Sequence, residues 1–215
     1  MKDLIIFDLD GTLLNTLSDL HASTNYALST EALPTRSLDE VRTFVGNGIR
    51  KLIERAVPDN CPQDTLERVF AAFKAHYAEN CMNTTVPYPG ITELLHALKA
   101  KGYKLGVVSN KADAPVKALI SHYFPDAFDS VVGEREGVRR KPAPDAVFET
   151  VRTLGSDISQ TLYIGDSEVD SQTAKNAGCD CVLVSWGFKS REFLDSLGGA
   201  VVDSVRELYS VIEES

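Results

Sequence analysis

The sequence predicts an α/β protein, a parallel sheet covered by helices, carrying an inserted α-helical domain. Three observations lead there. After residue 85, short apolar runs alternate with stretches of helical periodicity. A separate apolar run, Leu4–Phe7, stands near the N-terminus. Between them lie roughly seventy residues with helical pattern only, too many for a simple crossover. Strands alternating with helices imply a parallel sheet buried on both faces.

The elements follow in order. Leu4–Phe7 reads as a buried strand. Further strand-like runs lie at 105–108, 131–132, 162–164, 181–184 and 200–202. Ile91, Leu94, Leu95 and Leu98 repeat at helical spacing, with Gly102 as a stop signal. Val116, Leu119, Ile120 and Tyr123 repeat it, as do Val147, Val151 and Leu154. In the insert, Ile49, Leu52, Ile53 and Ala56 form one stripe. Leu66, Val69, Phe70, Phe73 and Tyr77 form another. The expected division is a core of residues 1–14 and 85–215 and a helical domain of residues 15–84.

Composition narrows the function. Hydrophobic residues make up 43% and charged residues 25% of 215, an ordinary globular balance. A net charge of −9 argues against nucleic acid and anionic membranes as partners. No apolar run approaches the ~20 residues that span a bilayer. The N-terminal run turns acidic at Asp8 and Asp10, unlike a signal peptide. Cys61, Cys81, Cys179 and Cys181 lack the spacing of a zinc site or disulfide framework. Free thiols and a cytoplasmic location are expected. A monomer or a homodimer is expected.

Polar residues gather where strands end, which is where ligands bind in open parallel sheets. After Leu4–Phe7 come Asp8, Asp10, Gly11 and Thr12. After 105–108 come Ser109 and Asn110. After 162–164 come Gly165, Asp166, Ser167 and Asp170. Lys141-Pro142 precedes the Val147 helix. Each motif alone is compatible with a turn, a helix cap or a solvated lysine. Together, at the strand ends of one sheet, they point to a shared crevice.

Four carboxylates in one crevice raise one another's pKa unless a cation joins them. With no histidine or cysteine in the motifs, Mg²⁺ is the expected ion rather than zinc. With Lys141 it would make the crevice attractive to phosphate. Of Asp8 and Asp10, one carboxylate can attack phosphorus to form an aspartyl-phosphate. The second can protonate the leaving oxygen and later activate water. Ser109 and Asn110 offer donors for phosphate oxygens.

These motifs resemble those of the haloacid dehalogenase superfamily. They are Asp8-Leu9-Asp10-Gly11-Thr12, Ser109-Asn110-Lys111, Lys141-Pro142 and Gly165-Asp166-Ser167-Glu168-Val169-Asp170. Phe44-Val45-Gly46-Asn47-Gly48-Ile49 and Tyr88-Pro89-Gly90, with Gly102-Tyr103, resemble a phosphoglycolate phosphatase-like subgroup. The resemblance implies a Rossmann-like core with a helical cap and a Mg²⁺-dependent phosphatase acting on a small phosphate monoester. It implies Asp8 as nucleophile, Asp10 as general acid/base, and Asp8, the Asp10 carbonyl and Asp166 as metal ligands. Asp170 would orient a metal-bound water or Lys141. Ser109, the Asn110 amide and Lys141 would hold phosphate, and Thr12 would position Asp10.

The substrate expectation is a small phosphorylated acid, 2-phosphoglycolate foremost. The Gly46-Asn47-Gly48 turn starts a helix, and its amides and the helix dipole suit a carboxylate; Arg50 is a cation nearby. Pyrophosphatase, sugar-phosphate phosphatase and phosphomutase are the enzymatic alternatives. A receiver-type signalling module also gathers aspartates, a hydroxyl residue and a lysine around Mg²⁺, but it has roughly 120 residues and no inserted cap, so the length and the helical insert favour the enzyme. The charged segment 134–140 reads as a solvated loop.

Overall fold

In the computed structural model the described residues are 2–215. The chain separates into two compact units, Met1–Leu14 with Pro87–Ser215, and Asn15–Val86. Strand β1 (Leu4–Phe7) opens the first unit, and all of its side chains are fully buried. Each such burial contributes about 1.5–3 kcal/mol, so β1 is a natural centre for a sheet. Segments β2 (Leu14–Asn15) and β3 (Val86–Pro87) carry the chain out of this unit and back, paired as a two-stranded sheet.

The main sheet has six strands in the order β5-β4-β1-β6-β7-β8, every pair parallel. Its other strands are β4 (Lys104–Ala112), β5 (Ser130–Glu134), β6 (Thr161–Gly165), β7 (Asp180–Val184) and β8 (Ala200–Val202). From β1 the order runs to β4 and β5 on one side and to β6, β7 and β8 on the other. That reversal puts a crevice at the carboxyl end of β1. Leu4, Ile6, Val108, Val132 and Tyr163 form one core cluster with Val147 and Ala174 from the covering helices. Both the parallel sheet and the helical insert agree with the sequence reading.

Two differences bear on the site. Strand β4 runs on through Ser109, Asn110 and Lys111, where the sequence suggested that the strand had ended. Its pairing with β5 is irregular between Val108 and Ala112. These polar residues are buried, so polarity hid the continuation of the strand. Helix α8 (Glu168–Ala177) also escaped the periodicity, because its buried face includes Asp170 and Thr173.

The second unit holds helices α1 (Leu17–Thr30), α2 (Leu38–Phe44), α3 (Gly48–Ala56) and α4 (Gln63–Asn80). Ser37 and Glu40 cap α2 reciprocally. The stripes read for α3 and α4 are buried at Leu52, Ile53 and Ala56 and at Leu66, Val69, Phe73 and Tyr77. Helix α1 shows no clean apolar stripe in the sequence, since its buried face mixes Leu20 and Ala27 with Asp19, Ser23 and Thr24. Asp19 accepts the backbone N–H groups and hydroxyls of both Thr84 and Thr85, at 2.6–3.1 Å.

Candidate active site

Asp8 is the first residue beyond β1. Its backbone N–H donates to Ile164 O, tying the turn to β6. Its Oδ1 accepts the Leu9 N–H at 2.7 Å and lies 2.9 Å from Lys141 Nζ. The chain then turns at Gly11, whose φ is +84°, and the Gly11 N–H reaches Leu14 O. A Cβ at Gly11 would stand 2.3 Å from Asp166 Oδ2, and one at Gly187 would stand equally close. Both glycines are therefore required for Asp166 to sit where it does. Asp166 Oδ2 accepts the Phe188 N–H at 2.7 Å. Trp186 donates its indole N–H to Thr12 O at 3.1 Å, so it fastens the Asp8–Thr12 loop.

Ligand-type oxygens of Asp8, Asp166 and Asp170 lie within 4.8 Å of one another. They are not equivalent. Asp170 Oδ1 sits 2.7 Å from Lys141 Nζ and 3.3 Å from the Tyr163 hydroxyl. Its Oδ2 accepts from Ser167 Oγ at 2.6 Å and from the N–H groups of Asp166 and Ser167. Asp170 is thus saturated by the protein and orients Lys141. Asp8 and Asp166 keep capacity for an added cation.

Lys141 is 96% buried, from its 4% exposure, and its peptide bond to Pro142 is cis. The Asn110 side chain accepts the Lys141 N–H at 2.8 Å and donates to the Lys141 carbonyl at 3.1 Å. Asn110 therefore spends its side chain on fixing Lys141. Ser109 Oγ accepts the Lys111 N–H at 3.2 Å.

Electrostatics single out the same groups. Burial is the largest influence on Asp8 and pushes its carboxyl up to about 7; Lys141 pulls it down, while Asp170 and Asp10 push it up. Burial, with Asp170 and Asp8 adding to it, holds Asp166 well above the carboxylate range. For Lys141, burial favours the neutral amine, yet Asp170 and Asp8 overcome it and keep the ammonium.

Two residues of the site have contacts that the sequence does not assign them. Tyr163 is fully buried in β6, with its hydroxyl 3.2 Å from Lys141 Nζ. As one aromatic in an apolar strand it read only as core. Lys111 Nζ reaches both oxygens of Asp10, at 2.9 and 3.0 Å. The expected Thr12 contact differs: its Oγ1 is buried with no hydrogen-bond partner among the described residues, and it is Lys111 that meets Asp10.

Asp8, Asp10, Thr12, Ser109, Asn110, Lys141, Asp166 and Asp170 all belong to the sheet-bearing unit, whereas Asn47, Gly48 and Arg50 belong to the helical one. Asn47 Oδ1 accepts from Arg55, and Gly48 opens α3 at φ +79°. Arg50 forms a two-pronged pair with Glu67, both at 2.7 Å, and a 3.1 Å bond to Glu54. The arginines of the charged segment 134–140 are paired, Arg140 with Glu134 at 2.6 Å, Arg139 with Asp145 at 2.9 Å and Arg135 with Glu149 and Asp113.

A parallel sheet with paired carboxylates beyond its central strand, a buried lysine and a third carboxylate across the crevice defines an aspartate-based phosphohydrolase. The haloacid dehalogenase-like hydrolase family model matches residues 5–184, and the chain belongs to that family. It is a phosphatase, a phosphoric monoester hydrolase, of phosphoglycolate phosphatase-like kind. A phosphoglycolate phosphatase from Mesorhizobium japonicum is 36% identical, over 94% of this chain and 90% of its own length. A solved structure from Lactobacillus delbrueckii subsp. bulgaricus is 37% identical, covers 99% of each chain and superposes with a TM-score of 0.93. CbbY from Rhodobacter sphaeroides, solved in complex with phosphate, is 26% identical with a TM-score of 0.76, over 97% of this chain and 96% of its own.

Proposed function

We propose that this chain hydrolyses a small phosphorylated acid, phosphoglycolate foremost, with Mg²⁺ and through an aspartyl-phosphate on Asp8. The observation that carries the proposal is a charge imbalance. Asp8, Asp10, Asp166 and Asp170 face two buried lysines, Lys111 and Lys141. With all four ionised, two negative charges would be left over, the complement of one divalent cation; without it, burial favours the protonated forms of Asp8 and Asp166. The donors are oxygens only, which suits Mg²⁺. Asp8, Asp166 and the Asp10 carbonyl would hold it, with Asp170 behind them. Bound there, Mg²⁺ supplies charge neutralisation for the phosphoryl oxygens.

The residues then divide the work. An Asp8 carboxylate oxygen attacks phosphorus, and the ester P–O bond breaks. Asp10, protonated in the substrate complex, gives its proton to the departing oxygen. Asp10, now a carboxylate, takes a proton from water. That water attacks phosphorus, the P–O bond to Asp8 breaks, and phosphate leaves with Asp8 restored. The Ser109 hydroxyl, the Asn110 backbone N–H and Lys141 stabilise the phosphoryl charge. For selectivity, the N–H groups of the Asn47–Gly48 turn suit a carboxylate.

A cytoplasmic site of action fits the cysteines, which are all free. No helix among the described residues is long and apolar enough to cross a membrane. The test is phosphate release from phosphoglycolate, pyrophosphate, a hexose phosphate and 4-nitrophenyl phosphate, with Mg²⁺, Ca²⁺ or a chelator. Phosphoglycolate should give the highest kcat/KM, Ca²⁺ should inhibit, and chelation should abolish turnover. Full activity after exhaustive chelation refutes the metal role; a stronger preference for another ester refutes the substrate.

A further inference from the structure

We infer that Lys111 is a positioning residue for Asp10: it fixes the general acid/base where the leaving oxygen departs and reads no part of the substrate. The inference rests on the roles proposed above for Asp8 and Asp10.

The geometry is specific. Lys111 Nζ bridges both Asp10 carboxylate oxygens, at 2.9 and 3.0 Å, so it fixes the rotation of the carboxylate as well as its place. The lysine side chain is 4% exposed and that of Asp10 18%. An ammonium so buried is expensive without a close anion, so the pair is a built feature.

The backbone that presents Lys111 is also clamped. Its N–H donates to Ser109 Oγ at 3.2 Å. A Cβ at Gly133 of the neighbouring β5 would stand 2.8 Å from Lys111 O and 2.5 Å from Asp113 Cα. Asp113 Oδ1 in turn accepts the Gly133 N–H at 3.0 Å. Only glycine lets β5 come this close, and the contact fixes the β4 end against β5 there. The irregular pairing of β4 between Val108 and Ala112 occurs across this same stretch. A break in strand pairing beside a site re-aims the side chains it carries.

A fixed cation is needed here for a physical reason. Asp10 lies two residues from Asp8, in a cluster rich in carboxylates, and like charges repel it from that cluster. Lys141 lies between Asp8 and Asp170. The two buried lysines thus have separate duties. Lys141 serves the nucleophile, and Lys111 serves the acid/base.

The test uses three substrates with saturating Mg²⁺. Phosphoglycolate and ethyl phosphate both need a proton on the leaving oxygen, but only the first has a carboxylate. The third, 4-nitrophenyl phosphate, needs no proton. In Lys111→Met, kcat should fall about 10²–10³-fold on both alkyl esters, the range of acid–base assistance, with KM little changed. On nitrophenyl phosphate the fall should stay within about tenfold. Lys111→Arg, which can still bridge two carboxylate oxygens, should recover at least about tenfold over Lys111→Met. Asp10→Asn should show the same substrate pattern, and Lys111→Met added to it should cost little more.

A loss confined to phosphoglycolate, seen in KM, would overturn the proposal and make Lys111 a substrate anchor. Equal loss on all three esters, or none, would overturn it too. Asp10→Asn without leaving-group dependence would instead break the acid assignment beneath it. Thermal midpoints check folding of each variant; if Lys111→Met does not fold, Lys111→Gln carries the same comparison.

Discussion

Two buried aspartates in the two units meet opposite treatment. Asp19, in the helical unit, is 3% exposed, and Asp8, beyond β1, is 9% exposed. Burial opposes ionisation of Asp19, but the Thr84 and Thr85 hydroxyls and N–H groups outweigh it and hold its pKa below the ordinary value. Burial of Asp8 is answered only in part by Lys141, and its carboxyl rises to about 7. A carboxylate that the chain satisfies fully is structural. One that the chain buries and leaves under-compensated is kept for something that arrives from outside.

The largest effect that could break this comparison is loss of the nucleophile. Asp8→Asn should lower turnover by about 10⁴-fold or more, since an amide is a very poor nucleophile. Its thermal midpoint should hold or rise, because a buried, under-compensated charge has been removed. Phosphate release near the wild-type rate from folded Asp8→Asn would sink the comparison at its first step.

The metal sharpens it next. A carboxyl titrates near 4 when unfolded, and Asp8 titrates near 7 when folded. Between those values the folded state holds a proton that the unfolded state has lost, so stability falls as pH rises across that window. Chelated protein should therefore melt lower at pH 7.5 than at pH 5. Mg²⁺ should raise the midpoint more at pH 7.5, where it need not displace protons. Equal Mg²⁺ shifts at both pH values would mean that these carboxylates do not hold the ion. Gly187→Ala, whose Cβ would press 2.3 Å from Asp166 Oδ2, should raise the half-saturating Mg²⁺ concentration by about 10–100-fold.

For Asp19 the sign reverses. Its lowered pKa contributes stability that is present above the unfolded value and is lost as pH falls through the folded one. Asp19→Asn should cost about 1–3 kcal/mol, the range for a buried hydrogen-bonded group losing partners. Turnover per folded molecule should be unchanged. Urea denaturation and active-site titration together check this; a fall in kcat at full folding would mean that Asp19 is more than structural.

How much of this was legible follows the same division. The β1 run and the residues after it gave themselves away because Leu4–Phe7 is uniformly apolar and Asp8, Asp10, Asp166 and Asp170 sit at strand ends. Lys111 stood inside a quoted motif, yet its role needed the strand to continue past Val108, which polarity concealed. Tyr163 was invisible for the converse reason: a buried tyrosine in an apolar strand shows nothing of where its hydroxyl points. The family resemblance implied Thr12 as the residue that positions Asp10. Lys111, about a hundred residues away, takes that place, and such long-range pairing has no periodic signal.

The smallest expected effect belongs to Arg50, which sequence spacing offered as a cation for the substrate. Its guanidinium is already committed to Glu67 and Glu54 and lies 5.1 Å from the Phe70 ring centre. Releasing it to a ligand would break a two-pronged carboxylate pair, and the exchange of one carboxylate for another gains little. The pair is also solvated, where such bridges stabilise weakly. Arg50→Ala should therefore leave the thermal midpoint unresolved from wild type and KM for phosphoglycolate within about threefold, the scatter expected of solvated pairs. Asn47→Ala, measured alongside, changes a side chain whose one bond is to Arg55. It leaves the turn's N–H groups in place. A KM rise of about tenfold or more for phosphoglycolate in Arg50→Ala, absent with 4-nitrophenyl phosphate, would show that the guanidinium leaves Glu67 when substrate binds. Arg50 would then join Asp8 as a charge held for the ligand rather than for the fold.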